Sequence, residues 1–469
     1  MAVFAIDLND RALAFASGGR VLSSAPSAVF DGTGTEAPGA EVAGRQAWGS
    51  LRRSPMTTST RHLGDLARAE SAVRALRLLT AELRLRLDEH PVPAGASVWI
   101  AAPAAMSPHA LGLLLGAAAE IGLPIAGFVD AAVVSAAVLG LDRPALALDI
   151  GLHRIGVTAI EAGGQVRRRS VLTNERSGLL EIYQAWLALA STVFVKRTRF
   201  DPLHQGASEQ QLFDALSTVG RDATLRGEAT VAVERNGARL EVTLSRDQLA
   251  QKAEPVYREM VRLLHSLRPA GAPLALMVPR VALELPGLHA AMREFNGCEL
   301  IALADGFAAA ACSTLELPGH GATERVTLLR RLPARFAPEC AALATRELLR
   351  RDAAPAREPT HVLYAGKAYL LGRQALTVGR ESGEAGRALA LPEGLAGVSR
   401  RHCTFVREAA ETVLVDHSSY GTFVNGERVF ERVRVHAGDL VRLGEPGIEL
   451  ALIAVGSAAG ESHAASTSN

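Results

Sequence analysis

Apolar residues through position 317 fall into short runs separated by stretches of helical spacing. Val3–Asp7 predicts a strand, and Ala12–Ala16 with Val21–Pro26 predicts hairpin strands after it. Between Glu70 and Leu87, Val73, Leu76, Leu79 and Leu83 recur at the spacing of one helical face. A strand at Ser97–Ala101, a helix at Ser107–Ile121, a strand at Ile125–Phe128 and a helix at Ala131–Leu139 follow. The same order then recurs. Strands are expected at Ala145–Asp149, Arg154–Ile160 and Gln165–Leu172, then a helix near Gly178–Ala190. An insertion carries helices at Glu209–Leu216 and Arg246–Leu267 around a hairpin whose turn is Asn236-Gly237, a strong two-residue turn signal. Strand Leu274–Val278, helix Leu288–Glu294, strand Glu299–Ile301 and helix Phe307–Cys312 close the segment. Three strands, helix, strand, helix, strand, helix, written twice, predicts a duplicated α/β architecture over residues 1–317.

The pattern then changes. Residues 325–357 hold eight arginines against Glu339, Glu347 and Asp352, with prolines at 333, 338 and 355. Residues 318–358 read as an Arg/Pro-rich linker, with a short helix opened by Pro338 and running to Arg351. From Thr360 nine short apolar runs follow at close intervals, ending at Glu449–Val455, and predict an all-β sandwich over 359–455. The Ser/Ala/Gly-rich tail, 456–469, is expected to be disordered.

Composition narrows the class. At 469 residues, 48% hydrophobic and 21% charged, the chain is a globular protein of several domains. Its net charge of +1 argues against electrostatic attachment of the whole chain to nucleic acid. Asp7 and Asp10 interrupt the N-terminal apolar residues before a signal-peptide stretch can form, and no window reads as a membrane span. Cys298, Cys312, Cys340 and Cys403 lack metal-ligand spacing, so no metal site is expected and reduced thiols point to the cytoplasm.

The sandwich carries the clearest candidate chemistry. Gly379-Arg380, Ser399-Arg400-Arg401-His402, and Ser418-Ser419-Tyr420-Gly421-Thr422 with Asn425-Gly426 all stand between predicted strands. Arginine, hydroxyls and backbone N–H groups converging on one end of a sandwich suit a phosphate group. In order and spacing this set resembles the forkhead-associated (FHA) domain. The resemblance implies a phosphothreonine-peptide reader in which Arg380 and Ser399 hold the phosphate, Arg400 adds a cation and Ser419 a hydroxyl. It also implies that Gly379, His402, Asn425 and Gly426 are structural. Tyr420 stands where many members carry an asparagine that contacts the peptide backbone, so it bears on sequence preference.

The duplicated segment resembles the actin, sugar-kinase and heat-shock-chaperone ATPase superfamily, most of all the nucleotide-binding domain of DnaK-type chaperones. The likeness rests on Val98–Pro103, on Gly122-Leu123-Pro124 with Phe128–Ala132, on Leu148-Asp149-Ile150-Gly151 and on Asp305–Ala310. It implies ATP and Mg2+ as candidate ligands, with Asp7, Asp130, Asp149 and Gly151 at the nucleotide. The glycine-rich phosphate turns are missing, however: Asp7 is followed by Leu8-Asn9-Asp10, and Gly151 by Leu152-His153-Arg154. The adenosine loop reads Met277-Val278-Pro279-Arg280 rather than glycines, and residues 1–195 contain no lysine. Arg45, Arg154 or His153 are the candidate substitutes for the missing charge.

These observations define an expected bacterial, cytoplasmic signalling adaptor without catalytic residues, a pseudo-ATPase fused to a phosphothreonine reader. Its partner is a phosphothreonine-containing protein, the substrate of a Ser/Thr kinase, rather than nucleic acid or membrane. The alternative is an active chaperone-like ATPase targeted by its FHA module. Thr57, Thr58 and Thr60, in an expected loop, are candidates for an internal ligand.

Overall fold

The computed structural model describes residues 2–31, 41–66, 68, 70–268, 274–293, 295, 297–317, 326–349, 358–381, 387–408, 411–444 and 447–454. The 456–469 tail lies outside them. The chain divides into two compact units, one holding 1–349 apart from 270–272 and 293–296, the other 350–469.

Strict alternation shapes the first unit. In strand Val3–Leu8, Phe4, Ile6 and Leu8 face one core and Val3 and Ala5 another, because successive side chains leave a strand on opposite faces. That strand pairs antiparallel with Leu13–Ser17, which pairs antiparallel with Arg20–Ala25. On its other side it runs parallel to Ser97–Ala102, which is parallel to Ile125–Asp130. A second sheet repeats order and sense: Ala145–Ile150, Ile155–Glu161 and Gln165–Asn174 are antiparallel neighbours, and Ala275–Pro279 and Glu299–Leu303 extend it in parallel. Helices Ala131–Val138 and Phe307–Ser313 pack on each other between the sheets, in a core fed by both. Built almost wholly of alanine, valine and other small residues, they are apolar on all sides, as a helix covered on all sides must be. Helices Ala72–Glu89 and Pro108–Glu120 cover the far face of the first sheet.

The insertion folds as a helix Gly206–Arg226, the hairpin Glu228–Arg235 with Ala238–Ser245, and a helix Arg246–Leu267 started by a Ser245–Gln248 capping box. Helix Leu179–Thr198 is long and apolar enough to cross a membrane by length and composition, contrary to the expectation that no window is. Its Ile182, Trp186, Leu187 and Phe194 are buried in this unit.

The linker reading needs correction. Among the described residues of 318–358, Thr327–Leu329 adds a parallel strand to the first sheet beside Ile125–Asp130. Arg331–Pro333 and Ala344–Leu348 are antiparallel edge strands of the second sheet, on Gln165–Asn174 and Glu299–Leu303. The helix opened by Pro338 ends at Ala341. Three-residue strands are too short to display a period of two. The arginine excess is spent partly on local charge: Arg346 pairs with Glu299 at 3.1 Å and donates to the Leu139 carbonyl at 3.1 Å.

The second unit is a two-sheet sandwich. One sheet runs Lys367–Leu370, His361–Tyr364, Ile448–Ile453, Leu440–Leu443, Thr422–Val424, Glu427–Arg428. The other runs Arg387–Ala390, Leu376–Gly379, Cys403–Glu408, Glu411–Asp416, Arg432–Val435. Val378, Leu389, Phe405, Leu414, Val441 and Leu452 fill the space between. Arg387–Ala390, which the sequence pattern did not predict, lies parallel to Leu376–Gly379.

Candidate functional site

At one end of the sandwich three loops are bound to one another by their backbones. Gly379 ends its strand against the Arg400 carbonyl, where a Cβ would collide, so only glycine permits the approach. The N–H groups of Arg380 and Glu381 then donate to the carbonyls of Ser399 at 3.3 Å and Arg400 at 3.1 Å. Ser399 reaches the third loop, its Oγ accepting the Ser419 N–H at 3.1 Å. The predicted residues Arg380, Ser399 and Ser419 are thus joined through consecutive hydrogen bonds. The Arg380 Nε is buried and has no hydrogen-bond partner among the described residues. A buried donor left unmatched is costly, and an incoming oxyanion would satisfy it. Arg400 is exposed and lies 3.6 Å from Glu381.

His402 braces this end. Its Nδ1 accepts the Ser399 N–H at 3.0 Å and its Nε2 donates to the Gly421 carbonyl at 3.2 Å, an arrangement that needs the neutral Nε2–H tautomer. Burial pushes its pKa below the ordinary value, against the weaker pull of Gly421 and Asp416. Asp416 was not singled out in the sequence. It accepts the Ser418 N–H at 3.0 Å and the Thr422 hydroxyl at 2.6 Å, fixing both ends of the loop that carries Ser419 and Tyr420. Burial raises its pKa, but hydrogen bonds from Thr422 and Ser418 outweigh that and hold the carboxyl below its usual range. The Asp-x-Ser spacing is an Asx-turn signal that could have revealed it. Asn425 and Gly426 adopt φ of 52° and 85°, the left-handed pair of a tight hairpin turn. Asn425 does more than turn the chain: its Nδ2 donates to Asp439 at 2.8 Å and its Oδ1 accepts the Leu440 N–H at 3.0 Å.

The first unit brings together only part of its predicted set. Asp7 and Asp149 both line a cavity of about 120 Å³ with Asn9, Arg11, Pro279 and Gly306. Burial, then the charge of Asp149, pushes the Asp7 pKa up to about 7; Arg11 opposes this and Asp305 adds to it. Asn9 donates to Asp149 at 2.9 Å, and Arg11 pairs with Asp305 at 2.6 Å. Asp130 stands apart from that cavity lining. It caps helix Ala131–Val138 by accepting the N–H groups of Ala132 and Val133, and it pairs with Arg168 at 2.7 Å.

The turn after Asp149 is already filled. Asp10 accepts the N–H groups of Leu152 at 3.0 Å and His153 at 3.2 Å, and a Cβ on Gly151 would strike its Oδ1. Two backbone donors that could meet a phosphate thus meet a carboxylate of the same chain. A triphosphate with its magnesium ion does not fit this turn as it stands. His153 supplies no charge at neutral pH, because burial and the neighbouring Arg61 push its pKa down to about 4; its Nε2 contacts the Thr60 hydroxyl at 2.9 Å. Arg154 keeps a buried Nε without a hydrogen-bond partner among the described residues, and Arg45 lines a separate cavity of about 420 Å³ with Trp48, Phe213 and Arg280. Thr58 and Thr60 are each 6% exposed, so their hydroxyls are not presented as an internal ligand.

Residues 376–444 match the family model of the FHA domain. No curated protein matches the chain. The second unit therefore carries an FHA domain, a protein-interaction module of the class that binds phosphothreonine-containing proteins.

Proposed function

We propose that this protein is a phosphothreonine-dependent interaction adaptor. Arg380, Ser399, Arg400 and Ser419 take the phosphate, and Tyr420 faces the peptide beside it. The observation that carries the reading is the buried Arg380 Nε, without a hydrogen-bond partner among the described residues, in the loop that hydrogen bonds join to Ser399 and Ser419. A phosphothreonine supplies the acceptor oxygens that this donor lacks, whereas an unmodified threonine supplies one weak acceptor. The partner is a cytoplasmic protein phosphorylated by a Ser/Thr kinase. The test is fluorescence anisotropy of the full chain with a degenerate phosphothreonine peptide library and its unphosphorylated counterpart. Equal binding of the two libraries would sink the proposal.

In the same reading the first unit is a catalytically degenerate domain of the actin and heat-shock-chaperone type. Support comes from the repeated strand order and sense of its two sheets and the helix pair between them. The degeneracy is supported by Asp10, which occupies the Leu152 and His153 amides, and by the neutral state of His153. Recruitment of this unit to a phosphorylated partner is then the output of the FHA domain.

A further inference from the structure

Beside the phosphate-binding end of the sandwich stands a cation that none of its structural contacts consumes. Arg428 lies in the short strand Glu427–Arg428, antiparallel to Thr422–Val424 across the Asn425-Gly426 turn. Its side chain is exposed, and it has no ion pair among the described residues. Arg373 and Arg401 share that state, whereas Arg400 pairs with Glu381, Arg432 with Glu408, and Arg434 with Glu358 and Glu411; Arg428 is set apart by its place across the turn that follows Tyr420. Gly421, by having no side chain, leaves room for Arg428. The Arg428 Nε lies 3.2 Å from where a Gly421 Cβ would stand, so its guanidinium stem crosses the turn that follows Ser419 and Tyr420. That turn is rigid, since the Gly421 carbonyl accepts from both His402 and the Gly444 N–H. Tyr420 and Phe430 flank the site, 58% and 79% exposed, and Phe430 lies under the Arg428 guanidinium at 5.9 Å.

We propose that Arg428 is a specificity-determining residue: it reads an acidic side chain of the bound peptide, close to the phosphothreonine, with Tyr420 and Phe430 as the apolar walls. This rests on the phosphothreonine reading above. A peptide anchored by its phosphate at Arg380 and Ser399 passes the loop bearing Tyr420, within an arginine's reach of Arg428. A carboxylate there forms a planar guanidinium pair with a residue that meets no acid among the described residues.

The test uses the full chain and one phosphothreonine peptide with alanine at every flanking position, then the same peptide with aspartate scanned through those positions. Wild type is expected to favour aspartate at one or two positions by about fivefold, the size of an exposed but well-oriented ion pair. Arg428→Ala should bind the all-alanine phosphopeptide as wild type does and lose the aspartate preference, and Arg428→Glu should turn it into discrimination against aspartate. Retention of the preference in Arg428→Ala overturns the inference while leaving phosphothreonine binding intact, and so does a wild type indifferent to aspartate at every position. A wild type that binds no phosphothreonine peptide overturns both readings together. Circular dichroism of each variant separates loss of recognition from loss of fold.

Discussion

The Asp10 carboxylate accepts the backbone N–H of His153 at 3.2 Å, across 143 positions of the chain. It ties the turn after Val3–Leu8, in one sheet of the first unit, to the turn after Ala145–Ile150, in the other. Asn9 with Asp149 and Arg11 with Asp305 bridge the same two sides. The chain thus places its own carboxyl group on the turn after Asp149, where a nucleotide phosphate was expected. Burial raises the Asp10 pKa, against the attraction of Arg154 and the two amides.

Removing that carboxyl group leaves the Leu152 and His153 amides unmatched. Asp10→Ala is expected to cost about 2–4 kcal/mol, the penalty of orphaned buried N–H groups. Inorganic phosphate should recover part of the loss by entering the vacated position. Thermal melts of the variant with and without phosphate check this; an unchanged melting point means that the latch contributes nothing.

Nucleotide binding follows from the same contact. Calorimetry of Mg·ATP with the full chain should give no micromolar binding, because a triphosphate must displace Asp10 from amides it already satisfies. Micromolar heat, lost on replacing Asp149, would revive the ATPase reading.

For the phosphate pocket, Arg380→Ala should weaken phosphothreonine-peptide binding by about 10–100-fold, the scale of a charge-assisted hydrogen bond. Ser399→Ala should cost less, about three- to tenfold, and also loosen the Ser419 loop. Anisotropy titrations read both, and wild-type affinity in Arg380→Ala would falsify the pocket assignment.

Asp7 gives a pH signature. Burial and Asp149 raise its folded pKa to about 7, well above the ordinary 3.8. The folded state therefore holds the proton more tightly, and this contribution to stability is full below about 3.8 and lost as pH rises to about 7. His153 acts oppositely: with its folded pKa lowered from 6.5 to about 4, it erodes stability as pH falls through that interval. Asp7→Asn should raise the melting temperature by about 2–6 °C at pH 8 and change it little at pH 4. Differential scanning calorimetry at the two values distinguishes this from a pH-independent packing effect.

The motif loops of the sandwich were legible in the chain because their chemistry is local. Gly379-Arg380, Ser399 to His402 and Asn425-Gly426 are each read within four residues, and each keeps that geometry in the fold. The strand and helix order of the first unit was legible too, since its elements are long enough to display their periods. The strands Thr327–Leu329 and Arg331–Pro333 were not, being three residues each and framed by arginines that look solvated in one dimension.

By itself the sequence determined which residue types stand at each turn, the alternation that sends Phe4 and Ala5 to different cores, and the glycines where backbone must approach backbone. Only the tertiary structure decided what the charged groups do. Asp130 and Asp149 look equivalent in the chain, yet one caps a helix against Arg168 and the other lines a cavity with Asp7. Likewise Arg400, beside the phosphate motif, meets Glu381, while Arg428 meets no acid among the described residues. Charge interaction falls off with distance and depends on burial, and neither is fixed until remote segments pack together.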